Sequence, residues 1–311
     1  MHTFIPTLHY AERFAELAPY VGNTPLYRIQ KLSPNPKVKI YAKLEWQQMG
    51  GSVKARPAYR IMRDAIQRGD INPKRRLLDA SSGNTGIAYA VFAAVAGIPF
   101  TLFLPGNASK ERKQILKSLG VDIRYTSPFE STDGAQREAL ALAQAEPEAY
   151  YYADQYNNDS NWKAHYDTTA EEILQQTHGE ITHFIAGLGT TGTFTGTSRK
   201  LKAVNPNIRV IGLQPETALH GLEGWKHLET AKVPGIFDGQ IADETHTVDT
   251  LSAYDVLRDV ARHEGLLISP SSAANLLGAL RLAEQIEEGT IVTVFPDDAS
   301  KYSDVVTEIL K

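Results

Sequence analysis

The chain has 311 residues, 36 Asp and Glu against 32 Lys and Arg, and a formal net charge of −4. That balance gives no reason to expect nucleic acid or an anionic membrane surface as a partner. There are no cysteines, which excludes disulfides, thiolate metal sites and a cysteine nucleophile.

Residues 1–10 lack the basic and apolar regions of a signal peptide, which fits a cytoplasmic protein. Beyond them, short apolar runs alternate with helical patterns. Strands are predicted at 25–29 and 39–44, a helix at 57–68, a strand at 76–79 and a helix at 85–96. Then follow strand 100–104, helix 110–119, strand 122–125, helix 134–145, strand 150–152 and one long helix at 162–177. The chain closes with strand 183–186, helix 191–204, strand 209–214, helices 253–264 and 272–287, and strand 291–295. Such alternation argues for an α/β protein whose parallel sheets are covered on both faces. Residues 80–109 contain no charge, but Gly97-Ile98-Pro99 interrupts the run. The reading is a buried helix, a turn and a buried strand, not a membrane span. Residues 215–250 are rich in Gly, Pro and charge with weak periodicity, the pattern of a functional loop or lid.

Three segments fall where apolar strands give way to helices, the end of an α/β sheet at which ligands bind. The first is Gly50-Gly51-Ser52-Val53-Lys54, just before a helix. A cation there opposes the helix dipole, and the same dipole favours the neutral amine that attacks a carbonyl. Lys54 is therefore a candidate Schiff-base lysine. A solvated lysine on a helix turn is the plain alternative. The second is Ser81-Ser82-Gly83-Asn84-Thr85-Gly86, in which hydroxyls, an amide and free backbone donors converge on one helix end. That set suits a carboxylate better than simple capping, which needs one such residue. The third, Gly187-Leu188-Gly189-Thr190-Thr191-Gly192-Thr193, has the G-x-G-x-x-G spacing. It allows a dinucleotide turn with Glu216 on the ribose, a phosphate-ester cradle lined by threonine hydroxyls, or tight strand–helix packing. Gln155 after strand 150–152 and Ser271 before helix 272–287 are further candidates, each also readable as an ordinary turn or cap residue. The nine histidines show no metal-ligand spacing, and no G-x-S-x-G elbow occurs.

Together these segments resemble the fold type II pyridoxal-phosphate enzymes, in particular the cysteine synthase and cystathionine β-synthase family. The resemblance runs from Gly22-Asn23-Thr24-Pro25-Leu26 to Tyr302 and includes Pro234-Gly235-Ile236-Phe237-Asp238. Gly-Thr-Thr-Gly-Thr at 189–193 and Arg56-Pro57-Ala58 are similar to the B-type branch. The resemblance implies two open twisted-sheet lobes, as in the tryptophan synthase β chain. Residues 1–44 would pack with a large lobe at 155–311, and 45–154 would form a small mobile lobe. It implies pyridoxal phosphate on Lys54, with its phosphate on Gly189, Thr190, Thr191, Gly192 and Thr193. Asn84 would reach the cofactor's phenolic oxygen and Ser271 its ring nitrogen. Ser81, Ser82, Asn84, Thr85 and Gln155 would hold the substrate α-carboxylate. The activity implied is replacement of the acetoxy group of O-acetyl-L-serine by sulfide, in a cytoplasmic homodimer. O-phosphoserine is the main alternative substrate, with Lys226 facing its phosphate, and homocysteine the alternative nucleophile. From other classes, a nicotinamide-dependent enzyme using Gly187, Gly189, Gly192 and Glu216 and a non-catalytic binding protein stay open. Two departures from the family pattern are Gln48-Met49, where Asn-Pro is usual, and Ala55, where an acid is usual.

Overall fold

The computed structural model describes residues 10–81 and 83–309. In chain order its first elements are α1 (Tyr10–Ala15), β1 (Leu26–Ile29), β2 (Val38–Leu44), α2 (Ala55–Arg68), β3 (Arg76–Ala80) and α3 (Asn84–Ala96). Next come β4 (Phe100–Pro105), α4 (Lys110–Ser118), β5 (Asp122–Thr126), α5 (Ser131–Ala145), β6 (Tyr150–Tyr152), α6 (Asp159–Asp167) and α7 (Thr169–Gln176). The rest are β7 (His183–Gly187), α8 (Gly192–Val204), β8 (Arg209–Pro215), β9 (Glu244–Val248), α9 (Thr250–His263), α10 (Pro270–Gln285), β10 (Gly289–Phe295) and α11 (Ser303–Ile309). No helix among the described residues is long and apolar enough to cross a membrane.

Two compact units emerge: Met1–Val21 with Lys54–Gln155, and Gly22–Val53 with Tyr156–Lys311. The sequence boundaries at 44/45 and 154/155 differ from these at the N-terminal end and by one residue at Gln155, which falls in the first unit. The described residues up to Val21 join the first unit because Phe14 stacks on Tyr59 of α2 at 4.9 Å and meets Phe92 of α3 edge-on. The turn at 45–53 stays with the second unit because Glu45 N–H and Val53 N–H donate to Phe295 O and Pro296 O beyond β10.

Among the described residues the first unit holds a parallel four-stranded sheet in the order β5-β4-β3-β6. Its β4 is buried along its whole length, and α5 covers Leu78, Ala80, Phe103 and Tyr150 with Ala135 and Ala139. The second unit holds a six-stranded sheet, β1-β2-β10-β7-β8-β9, parallel except for β1. One apolar cluster gathers Ile185, Leu213 and Ile291 with Leu276 and Ala283 of α10. A second gathers Phe184, Val210 and Val292 with Phe194 and Leu201 of α8. Successive strand residues fall into different clusters, as side chains alternate across a sheet buried on both faces.

The structure adds the short helices α1 and α11 to the predicted elements and differs from them at two further places. The long helix at 162–177 is two helices, because Thr168 (φ −127°, ψ −69°) leaves the helical region and its hydroxyl donates to Ala164 O. Strand β9 lies inside the segment read as irregular. It is an edge strand with one buried residue, Val248, so it shows no apolar period.

Buried charge recurs in both units. Lys43, fully buried on β2, donates from Nζ to Thr24 O and to Glu172 Oε2, both at 2.6 Å. Removing one member of such a pair leaves the other without compensation. Glu172→Ala is therefore expected to destabilise the protein by about 3–5 kcal/mol, read from urea unfolding. A loss below about 1 kcal/mol would place the pair with surface ion pairs. In the first unit, Asp79 at the end of β3 is buried, and burial pushes its carboxyl up to about 8. The hydrogen bond from Ala80 N–H opposes this shift and the Asp154 charge adds to it. An acid whose folded pKa is raised binds more protons folded than unfolded. It therefore contributes stability that is lost as pH rises from about 4 to about 8. Asp79→Asn is expected to remove that slope, so that the change in unfolding free energy between pH 5 and pH 8 shrinks by at least about 1.4 kcal/mol. Equal slopes in both proteins would contradict it.

Candidate active site

Lys54 is the N-cap residue of α2, in helical conformation and half-buried. The turn before it needs left-handed backbone at Gly50 (φ +90°) and Gly51 (φ +59°), which glycine adopts without steric cost. Gly51 O accepts from Lys301 Nζ at 2.6 Å, and Val53 N–H donates to Pro296 O at 2.8 Å. Gln48 Nε2 donates to Glu45 Oε2 at 2.8 Å, and Gln48 Oε1 accepts from Gly22 N–H at 2.9 Å. Thr24 Oγ1 donates to the other Glu45 oxygen. The Gly22-Asn23-Thr24 segment is thereby fastened to the turn, and Gln48 has a structural task. Ala55 is fully buried at the start of α2, where an acid would require a partner.

The loop after β3 is held from β6's far end. Gln155, buried, gives Nε2 to Ala80 O and accepts from Thr85 Oγ1 at 2.7 Å. Ser81 Oγ accepts from Gly83 N–H, and Asn84 and Thr85 open α3. Ser81, Asn84, Thr85 and Gln155 are thus brought together in the first unit. Ser82 lies outside the described residues. One cation beside this loop carries no local sequence signal. Arg112 of α4 is buried, and a Cβ on Gly83 would lie 3.0 Å from its Nε. Its surroundings place positive charge against a loop read as a carboxylate site, but nothing in the run Lys110-Glu111-Arg112-Lys113 marks it out.

In the second unit, β7 ends at Gly187, whose N–H donates to Asn275 Oδ1 of α10 at 2.7 Å. Asn275 Nδ2 in turn donates to Val294 O of β10, so one amide ties two strand ends together. The loop then runs through Gly189 and Thr190 to Thr191 and enters α8 at Gly192 and Thr193. Thr191 has φ +70°, an uncommon conformation for a β-branched residue that marks a constrained site. Its Oγ1 is buried and finds no hydrogen-bond partner among the described residues. The glycines are explained by their neighbours. A Cβ on Gly187 would overlap the Trp225 ring, and one on Gly189 would overlap Gly224 O. Lys226 N–H donates to Leu188 O at 2.8 Å, and Lys226 Nζ lies 5.1 Å from the Tyr156 ring centre. Glu216, exposed past β8, has its backbone paired to Val248.

Ser271 sits in the first turn of α10, after the N-cap Ser269 and Pro270. Three hydroxyls share protons there: Ser269 Oγ lies 3.1 Å from Ser271 Oγ and 2.9 Å from Ser272 Oγ, and Ser272 donates to Asp297 O. Among the described residues no carboxylate is hydrogen-bonded to Ser271. Asp297 itself accepts from the Tyr302 hydroxyl at 2.7 Å. Among the described residues no cluster of His, Asp and Glu is fit to hold a metal.

Comparison with known proteins places these features in a family. Residues 17–297 match the family described as pyridoxal-phosphate dependent enzyme. The cysteine synthase of Aquifex aeolicus is 49% identical over 91% of this chain and 88% of its own. Cysteine synthase B of Escherichia coli is 37% identical over 91% and 92%. The crystal structure of O-acetylserine dependent cystathionine β-synthase from Helicobacter pylori matches with a TM-score of 0.86 and 32% identity, covering 97% of this chain and 98% of that one. With the match spanning both loops, the lysine turn and Ser271, the chain belongs to the pyridoxal-phosphate-dependent enzymes of fold type II.

Proposed function

We propose that this protein is a cysteine synthase that exchanges the acetoxy group of O-acetyl-L-serine for sulfide, giving L-cysteine and acetate. The observation that carries the reading is the 49% identity to a cysteine synthase over a span containing every site segment. Pyridoxal phosphate is the cofactor, and the residues fit it. Thr191 offers a buried, unsatisfied hydroxyl at the N-terminus of a 13-residue helix, where backbone N–H groups and the helix dipole favour an anion.

In this reading Gly189, Thr190, Thr191, Gly192 and Thr193 hold the cofactor phosphate. Asn84 faces the phenolic oxygen and Ser271 the ring nitrogen. A hydroxyl at that position accepts or donates without imposing a charge, unlike a carboxylate. When bound, the cofactor supplies an electron sink for breaking bonds at the substrate's α- and β-carbons. Lys54 is the residue that carries it, and its Nζ takes the substrate α-proton and later returns it. Ser81, Ser82, Asn84, Thr85 and Gln155 orient the α-carboxylate. Because the Thr85 hydroxyl is already turned to Gln155 Oε1, it is the backbone N–H of Thr85 that would donate to the carboxylate. We also infer a cytoplasmic homodimer, for which a monomeric mass by light scattering is the contrary result.

The purified protein is expected to be yellow. Lys54→Ala should remove the visible band of the lysine-bound cofactor and lower kcat at least about 10³-fold. A colourless protein that binds a nicotinamide dinucleotide would sink the reading. A coloured protein with no turnover would make it a binding protein. The substrate is settled by kcat/KM for O-acetylserine, O-phosphoserine and serine, each with sulfide and with homocysteine, and O-acetylserine with sulfide is expected to lead. Lys226 stands next to the phosphate loop, which favours O-phosphoserine as the second reading. If O-phosphoserine leads and Lys226→Ala lowers it selectively, that second reading replaces the first.

A further inference from the structure

Helix α6 backs the loop that opens α8, and it reaches two of the loop's hydroxyls. Asn161 Nδ2 donates to Thr190 Oγ1 at 3.2 Å, and Gly192 N–H reaches the same oxygen at 3.4 Å. A hydroxyl oxygen has two lone pairs and one proton. Both lone pairs of Thr190 are engaged, so its remaining capacity is to donate.

His165 lies one helical turn beyond Asn161 and is 1% exposed. Its Nε2 is 3.3 Å from Thr193 Oγ1 and its Nδ1 is 2.9 Å from Thr169 Oγ1. The tautomer follows from Thr169. That residue is fully buried, and among the described residues His165 Nδ1 is the group within hydrogen-bond distance of its hydroxyl. A proton on Nδ1 would strand the Thr169 proton in the interior, at a cost of about 1–3 kcal/mol. Nδ1 therefore accepts and Nε2 carries the hydrogen, which it gives to Thr193 Oγ1. The Thr193 proton is left to donate elsewhere.

The approach of α6 is built into the sequence of α8. A Cβ on Gly192 would overlap Asn161 Oδ1, and one on Gly196 would overlap Trp162 O. Both glycines admit the backing helix.

We propose that Asn161 and His165 are positioning residues that fix Thr190 and Thr193 as hydrogen-bond donors to a phosphate dianion at the N-terminus of α8. The proposal rests on the reading that this loop holds the cofactor phosphate. Neither residue touches the reacting atoms. Their effect is confined to ligands that carry the phosphate.

The test is the ratio of the dissociation constants of pyridoxal and pyridoxal phosphate, titrated on full-length protein resolved from its cofactor. In His165→Leu and in Asn161→Ala, pyridoxal phosphate should bind about tenfold more weakly, the scale of one hydrogen bond to a charged group. Pyridoxal should change by less than about twofold, as it lacks the charged acceptor. His165→Gln keeps an N–H near the position of Nε2 and should recover most of the loss. On the loaded enzyme, the ³¹P resonance of the bound phosphate should shift in the Leu and Ala variants and return in the Gln variant. An unchanged ratio in both variants overturns the proposal, and so does an equal loss for both ligands, which is the signature of a merely structural role. If the wild-type protein itself does not prefer pyridoxal phosphate to pyridoxal, the phosphate-loop reading fails first. Should His165→Leu not fold, Asn161→Ala and the Gln variant carry the same comparison.

Discussion

Seven consecutive pairings join β2 to β10, from Val38 with Gly289 to Leu44 with Phe295. The rest of the second unit's chemistry depends on that register. It ends two segments, about 250 residues apart in sequence, at the same edge of the sheet. The turn at 45–53 then finds backbone acceptors at Phe295 and Pro296, and Lys301 can reach Gly51 O. A one-residue slip would reverse every side chain on β2. It would take Lys43 away from Thr24 O and Glu172, and the turn that presents Lys54 would lose its anchors. β7 follows the same logic on the other side of β10, where Asn275 locks the strand ends and places Gly187 at the start of the loop at 187–193.

Much of this was legible in the sequence because it is encoded locally. The uncharged stretch of 80–109 could only be interior, and α3 and β4 lie within it, bounded by Gly97 and Pro99. The loops at 81–86 and 187–193 were visible because turn-forming and hydroxyl residues cluster there against apolar flanks. What escaped is encoded between distant positions. Gln48 reads as a departure from a pattern until Gly22 and Glu45 are seen on its amide. His165 and Asn161 sit on a helix with ordinary capping, and their partners lie 28 and 29 residues on. Arg112 belongs to a run of charged residues that looks solvated in one dimension. The edge strand β9 hides because only one of its residues is buried.

The two loops meet the cost of burying polar groups in different ways. Around Gln155 the hydrogen bonds close on the protein: Thr85 gives to Gln155, Gln155 gives to Ala80, and Gly83 gives to Ser81. That closure fixes the backbone of the loop. Around Thr191 the chain leaves a hydroxyl without a partner, in a conformation that a β-branched residue rarely takes. Such an arrangement persists only where the surroundings over-determine it, and here the glycines on either side are packed against Trp225, Gly224 and Asn161 of α6.

The same packing decides what the G-x-G-x-x-G spacing means in this chain. In a dinucleotide turn the glycines leave room for the pyrophosphate to approach the backbone. Here the space over Gly187 is filled by the Trp225 ring, that over Gly189 by Gly224 O, and that over Gly192 by Asn161. All three glycines are consumed by packing within the chain, and the exposed Glu216 has no ribose to meet along this route. What stays available to a ligand is the threonine hydroxyls and the helix N-terminus, a set that suits one phosphate ester and not a pyrophosphate bridge. The motif's glycines record how closely this loop is packed, and its threonines are the groups left for the phosphate proposed there.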